Sequence, residues 1–423
     1  MSGHEKKPLV PPLRFPEFRD AGEWESKPLK FMGSFFRGLT YSADEVSKEG
    51  LLVLRSSNIQ DGTLVLDKDL VFVNKTCPDD IQLRSGDIAI CMSNGSKALV
   101  GKNAEFRGNY DHDLTVGAFC SIFRPSVEFS KLIFQTPKYT KFISVAIGGG
   151  NINNLKNSDL GEFEHPVPKL QPEQQKISDC LSSLDELIAA ENQKLEILQT
   201  HCAVLMQQIL PREGEAAPRL RFPEFRKRSP WKSKTLSEIA AIRSGSTPSR
   251  AEPAFYSGGT IPWVKTTDLN NGFIVRTEEC VTPAARVKVN PVGSVLVAMY
   301  GGFKQIGRTG YLTVPAATNQ AISVLNADEN EVLPIYLLTW MNARVGYWKM
   351  IASSSRKDPN ITGTDVANFP ISYPDKDEQQ KIADTVASVN RGIEAQIQKI
   401  TCLTAHKTGL LQQLFPAIGE VPA

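Results

Sequence analysis

At 423 residues the chain exceeds one ordinary domain, and with 41% hydrophobic and 22% charged residues it has material for two or three folded cores. Its 48 basic and 46 acidic residues leave a formal charge of only +2, which excludes a uniformly basic protein; any phosphate-binding face has to be local. Seven scattered cysteines (77, 91, 120, 180, 202, 280 and 402) without a CxxC, and the lack of an apolar leader or of a run near the ~20 residues that span a bilayer, speak against a disulfide framework, a zinc ribbon and a membrane protein, and for a reduced, cytoplasmic one.

An N-terminal arm, residues 1–20, carries Leu13-Arg-Phe-Pro-Glu-Phe-Arg19, with Trp24 five residues beyond it. Residues 21–170 then read as a mixed α/β (α+β) domain of short strands, among them Leu51–Leu54, Leu64–Leu66 and Asp87–Cys91. Asp61-Gly62 has the composition of a hairpin turn. Three polar loops interrupt this domain: Arg55-Ser-Ser-Asn58, Ser93-Asn-Gly-Ser-Lys97 onward to Lys102, and Gly148-Gly-Gly-Asn-Ile-Asn-Asn-Leu-Lys156. Arg and Lys suit phosphates or guanine edges, Asn and Gln suit adenine, and glycine lets backbone N–H groups approach a phosphate. The candidate DNA contacts of this half are therefore Arg55, Ser57, Asn58, Asn94, Lys97, Lys102, Asn151, Asn153 and Lys156.

Residues 171–211 read as a long helix. No proline or glycine lies between Pro172 and Leu210, and apolar residues recur in steps of four and three: Ile177, Leu181, Leu184, Ile188, Leu195, Leu198, Leu205 and Ile209, with Glu191 a charged interruption. Pro211 stops the run. A linker, residues 212–227, brings back the opening motif as Leu220-Arg-Phe-Pro-Glu-Phe-Arg226.

Residues 228–373 form a second domain of the same kind, with strand-like Ile261–Val264 and Ser294–Met299 and a hairpin expected at Asn271-Gly272. Its polar loops, Lys265-Thr-Thr-Asp268, Tyr300–Arg308 and Ser353–Asn360, fall at matched places. Its candidate contacts are Lys265, Thr266, Thr267, Tyr300, Lys304, Gln305, Arg308, Arg356 and Lys357. A second long helix, residues 374–416, repeats the alternation with Ile382, Val386, Val389, Ile393, Ile400, Leu403, Leu410 and Leu414, and a tail, residues 417–423, follows Pro416.

The halves are thus a duplication. At an offset of 207 the seven-residue motif, Trp24/Trp231, Gly38/Gly245, Gly86/Gly293, Met92/Met299 and Lys97/Lys304 coincide; at 205, Glu173-Gln-Gln-Lys-Ile177 matches Glu378-Gln-Gln-Lys-Ile382. A shared frame with divergent filling suggests two related sites reading different things. Two equal heptad helices most simply bury one another, pairing antiparallel; the alternative is that each packs on its own domain.

No catalytic or metal motif emerges. The histidines at 4, 112, 165, 201 and 406 lack HxxxH or HExxH spacing, and no GxSxG occurs. Gly95 to Gly101-Lys102-Asn103 departs from a phosphate loop in spacing and in having Asn103 where Ser or Thr is needed. Two rivals stand beside a DNA-reading scaffold: a coiled-coil adaptor that binds proteins only, and an enzyme with unrecognisable motifs.

The repeated motif, its tryptophan, Ile261-Pro-Trp-Val-Lys-Thr-Thr-Asp-Leu269, and Glu-Gln-Gln-Lys-Ile at the opening of each helix together resemble the specificity subunits of type I restriction–modification systems, over about residues 11–416. The resemblance implies two target-recognition domains separated by two long antiparallel coiled-coil helices with pseudo-twofold symmetry. It also implies a chain with no chemistry or cofactor of its own. Each domain would read half of a split double-stranded DNA target. The helices would set the gap and dock two methyltransferase subunits that carry S-adenosylmethionine and methylate adenine N6. Restriction subunits using ATP and Mg would complete the complex.

Overall fold

The computed structural model describes residues 8–110, 112–147, 154–212, 214–353 and 360–416. They form two compact units: residues 1–190 with 399–423, and residues 191–398. Each unit therefore holds one recognition-type domain, the start of one long helix and the end of the other.

In the first unit an antiparallel four-stranded sheet runs Gly33–Arg37, Cys120–Pro125, Ile88–Cys91, Asn103–Glu105. A second sheet runs Leu114–Val116, Leu51–Leu54, Phe72–Val73, Val46–Ser47, with Leu114–Val116 parallel to Leu52–Leu54. The apolar runs Leu51–Leu54 and Ile88–Cys91 are buried along their whole length, as strands covered on both faces must be. Glu25–Pro28 pairs antiparallel with Glu164–Val167, so the first strand of the domain closes onto the last, next to the start of the helix.

The second unit repeats the plan. Ala240–Ser244, Ile322–Ala327 and Val295–Ala298 stand side by side as their counterparts do, extended by Thr309–Leu312 and Gly272–Ile274. Lys232–Thr235 closes on Pro370–Tyr373. Two pairs of matched glycines have different physical reasons. A Cβ on Gly38 would meet the Gly117 carbonyl oxygen at 2.3 Å, and one on Gly245 the Thr318 carbonyl oxygen at 2.2 Å. Gly86 and Gly293 instead hold φ of +90° and +89°, which L side chains avoid.

Asp61-Gly62 is the expected hairpin, with positive φ at both residues between Ile59–Gln60 and Thr63–Leu64. Leu64–Leu66 is shorter than expected, since only Leu64 stays in that strand. Asn271-Gly272 is not a hairpin. Asn271 alone has positive φ, and Gly272 opens a strand that pairs in parallel with Thr309–Leu312. A hairpin needs an antiparallel partner strand on the other side of the turn, and here the partner comes from 309–312 and runs parallel.

The long helices span Gln171–Ile209 and Lys376–Leu414. Of the heptad positions, Ile177, Leu181, Ile209, Ile382, Val386 and Leu414 are buried. Leu184, Ile188, Leu195, Leu198, Leu205, Val389, Ile393, Ile400, Leu403 and Leu410 are half-buried. In the second unit Glu191 meets Gln396 and Cys202 meets Asn390, so one number rises as the other falls and the helices run antiparallel. In the first unit Lys407 meets Asp185 at 2.5 Å, while the earlier Ile177 and Leu181 share a core with the later Leu411, Leu414 and Phe415. Packing of each helix on its own domain alone, the alternative left open by sequence, is thereby overturned.

Candidate nucleic-acid interface

In the first unit the chain leaves the buried strand Leu51–Leu54 through Arg55 and forms a tight turn, Ser56–Asn58. Asn58 builds that turn. Its Oδ1 accepts the Arg55 backbone N–H at 2.9 Å, and its Nδ2 donates to the carbonyls of Val65 and Lys68 at 3.3 and 3.1 Å. The side chain is 1% exposed, so Asn58, expected to face DNA, serves the backbone instead. In the second unit Asp268 does the same, accepting the Lys265 N–H at 2.7 Å.

The second loop packs beside the first. Asn94 Nδ2 donates to Ser56 Oγ at 2.9 Å, while its Oδ1 accepts the Ser96 N–H at 3.0 Å. The end of the third loop is tied to the second: Ser93 bridges Asn154, and the Leu155 N–H donates to the Met92 carbonyl at 2.8 Å. The second unit reproduces this tie, Ile361 N–H to the Met299 carbonyl at 3.0 Å. There Gly301 lies against Thr266, which brings first and second loops together again. Within each unit the first and second loops thus meet, and the described residues at the end of the third loop or just past it are tied to the second.

Their residues divide by what they can offer. Arg55, Ser57, Lys97, Lys156, Thr267, Tyr300 and Lys304 are exposed; Asn94, Lys102, Thr266 and Arg308 are half-buried. Lys265 departs from expectation. It pairs with Glu278 and Glu279 at 2.7 Å each, and these bonds raise its pKa. Glu279, bonded by Arg250 and Lys265, is pushed down to about 2. The charge of Lys265 is thereby spent within the unit. Gln305 turns its Oε1 inward, where it finds no partner among the described residues. Asn151, Asn153, Arg356 and Lys357 lie outside the described residues.

Sequence reading missed two aromatic residues. In the first unit a cleft of about 570 Å³ opens between the loops, lined by Tyr41, Arg55, Ser56, Asn94 and Phe119 among others. Phe119 is 70% exposed. Neither residue carried a signal in the sequence, since an aromatic beside an apolar run reads as core. Among the described residues no group of three or more His, Cys, Asp or Glu is placed to hold a metal ion. No helix among them is long and apolar enough to cross a membrane.

The model of the type I restriction modification DNA specificity domain matches the chain twice, over residues 23–200 and 228–401. The chain belongs to the type I restriction–modification DNA specificity family. Among relatives of this family, the StySPI specificity subunit of Salmonella potsdam is 32% identical over 182 residues, 41% of this chain and 38% of that one. The EcoKI specificity subunit of Escherichia coli is 32% identical over 188 residues, 42% of this chain and 40% of that one. The matched segments thus span about two-fifths of those relatives' own length. The S subunit of the type I restriction–modification system from M. genitalium has the same fold, with a TM-score of 0.61 at 16% identity, covering 97% of this chain and 100% of that one.

Proposed function

We propose that this chain is the DNA-recognition subunit of a type I restriction–modification enzyme. Each unit reads one half of a split double-stranded target through its polar loops. The paired helices set the unread gap and dock two adenine-N6 methyltransferase subunits. The chain itself is non-catalytic and binds no cofactor; S-adenosylmethionine belongs to the methyltransferase subunits, ATP and Mg to restriction subunits, and the assembly works in the cytoplasm. One observation supports this reading: the same meeting of first and second loops, with different side chains and with the end of the third loop tied to the second, recurs in two domains joined to paired helices.

The loop cations Arg55, Lys97 and Lys304 supply the phosphate contacts, so binding weakens steeply with salt. The ruler role has a direct test. One heptad inserted into each helix lengthens it by roughly 10 Å, about three base-pair steps. Methylation mapping in the host then shows two unchanged half-sites with a longer gap. Altered half-sites around a constant gap would sink the proposal.

A further inference from the structure

Phe119 sits on the three-residue turn Gly117–Phe119, and backbone bonds hold that turn on every side. Gly117 N–H donates to Leu54 C=O at 2.8 Å, at the exit to the first loop. Phe119 C=O accepts from Met92 and Ser93 at 2.9 and 3.1 Å, at the root of the second loop. Cys120 N–H closes the turn onto Gly117 C=O at 2.8 Å, and Gly38 presses so close to Gly117 that no side chain fits there. The ring is therefore presented to solvent by a fixed support, at 70% exposure, on the wall of a cleft that also holds Arg55 and Asn94.

The second unit has the same support and no ring. Ala321 C=O accepts the Met299 N–H at 2.8 Å, as Phe119 does from the matched Met92. Backbone need thus explains the turn in both units, but it does not explain an aromatic side chain in one of them.

We propose that Phe119 is a specificity-determining residue that packs against the C5-methyl group of one thymine in the major groove of the half-site read by the first unit. This rests on the reading of the chain as a DNA-recognition subunit. An apolar side chain discriminates thymine through its methyl group, and the neighbouring Arg55 guanidinium serves an adjacent phosphate.

The test uses the full chain assembled with its methyltransferase subunits and the duplex that methylation mapping identifies as the target. Each thymine is replaced in turn by deoxyuridine, which removes the methyl group and keeps the pairing. One replacement in one half-site weakens binding by about fourfold, the value of one buried methyl group. The variant Phe119→Ala binds that thymine duplex and its deoxyuridine counterpart equally, while replacements in the other half-site act on it as on the parent. A Phe119→Leu variant, still apolar, keeps part of the discrimination. A half-site without a thymine that responds, or a Phe119→Ala complex that discriminates as well as the parent, overturns the proposal. Failure of the parent complex to prefer its mapped duplex over a scrambled one would instead remove the underlying reading.

Discussion

Arg14 and Arg221, the second residues of the repeated motif, bury their guanidinium groups against Glu173 and Glu378, the first residues of Glu-Gln-Gln-Lys-Ile. Around each clamp the rest of the motif recurs. Lys176 pairs with Glu17 and lies over Phe15; Lys381 pairs with Glu224 and lies over Phe222. The two stretches that repeat most faithfully are thus one joint, fixing the domain's first strand to its helix. Arg14 and Glu173 are 7% and 1% exposed, and Glu173 also accepts from Trp24 Nε1 at 3.2 Å. Glu173→Ala leaves a buried cation and costs about 3–5 kcal/mol, read as a lower denaturant midpoint; an unchanged midpoint would refute the clamp. His165 supplies a second residue-scale expectation. It is buried with Thr136 Oγ1 at 3.3 Å and Phe415 beside it, and burial lowers its pKa from 6.5 to about 3. The unfolded chain takes up this proton below 6.5 and the folded one only near 3, so stability falls as the pH drops through that window. The slope reaches about 1.4 kcal/mol per pH unit. Thermal unfolding of His165→Gln follows pH less steeply in that range; parallel profiles would refute it.

The helices are decided by their stripe. Each heptad position predicted from spacing faces inward to some degree, because at 3.6 residues per turn steps of four and three return to one side. The polar interruptions are not defects. Glu191 and Gln396 hold equivalent positions and bond each other, Gln396 Nε2 reaching Glu191 Oε2 at 2.6 Å and its carbonyl at 2.9 Å. Cys202–Asn390 and Lys407–Asp185 likewise occupy equivalent places, one neutral and one charged. A buried polar pair specifies register at some cost in stability. Gln396→Leu therefore loses about 1–2 kcal/mol by removing the bond to a carboxylate. The double variant Glu191→Leu with Gln396→Leu recovers that loss or more. Denaturant titration of the single and double variants measures both, and additive losses would show that the pair does not couple.

At the scale of the whole chain, each domain uses the end of one helix as the other domain does. Leu220 N–H donates to Gln208 C=O at 2.9 Å, one residue before the end of the first helix; Leu13 N–H donates to Gln413 C=O at 2.9 Å, one residue before the end of the second. The N-terminal arm thus stands to the second helix as the linker stands to the first. A permuted chain that begins at Leu220, joins Pro416 to Leu9 through a short flexible linker and ends at Pro211 keeps the fold and the methylation pattern. Loss of either target half in methylation mapping of such a chain would contradict this equivalence.

The duplication, the two helices with their inward stripe, and the places of the first and second loops were legible because they rest on local physics: helix period, turn residues and repeated letters. What each loop residue does was not. Asn58 and Lys265 are of the types that read DNA, yet a backbone turn consumes one and two glutamates the other, and only folding brings Val65, Lys68, Glu278 and Glu279 to them. Asn271-Gly272 has hairpin letters, but its partner strand comes from 309–312, a pairing set by the sheet. Phe119 reads as one more core aromatic until the turn that carries it is seen clamped to both loops. Sequence by itself determined which elements exist, because spacing along the chain controls hydrogen bonding within a helix or turn. Tertiary structure alone decided which side chains remain available to a ligand, because availability depends on partners distant in sequence.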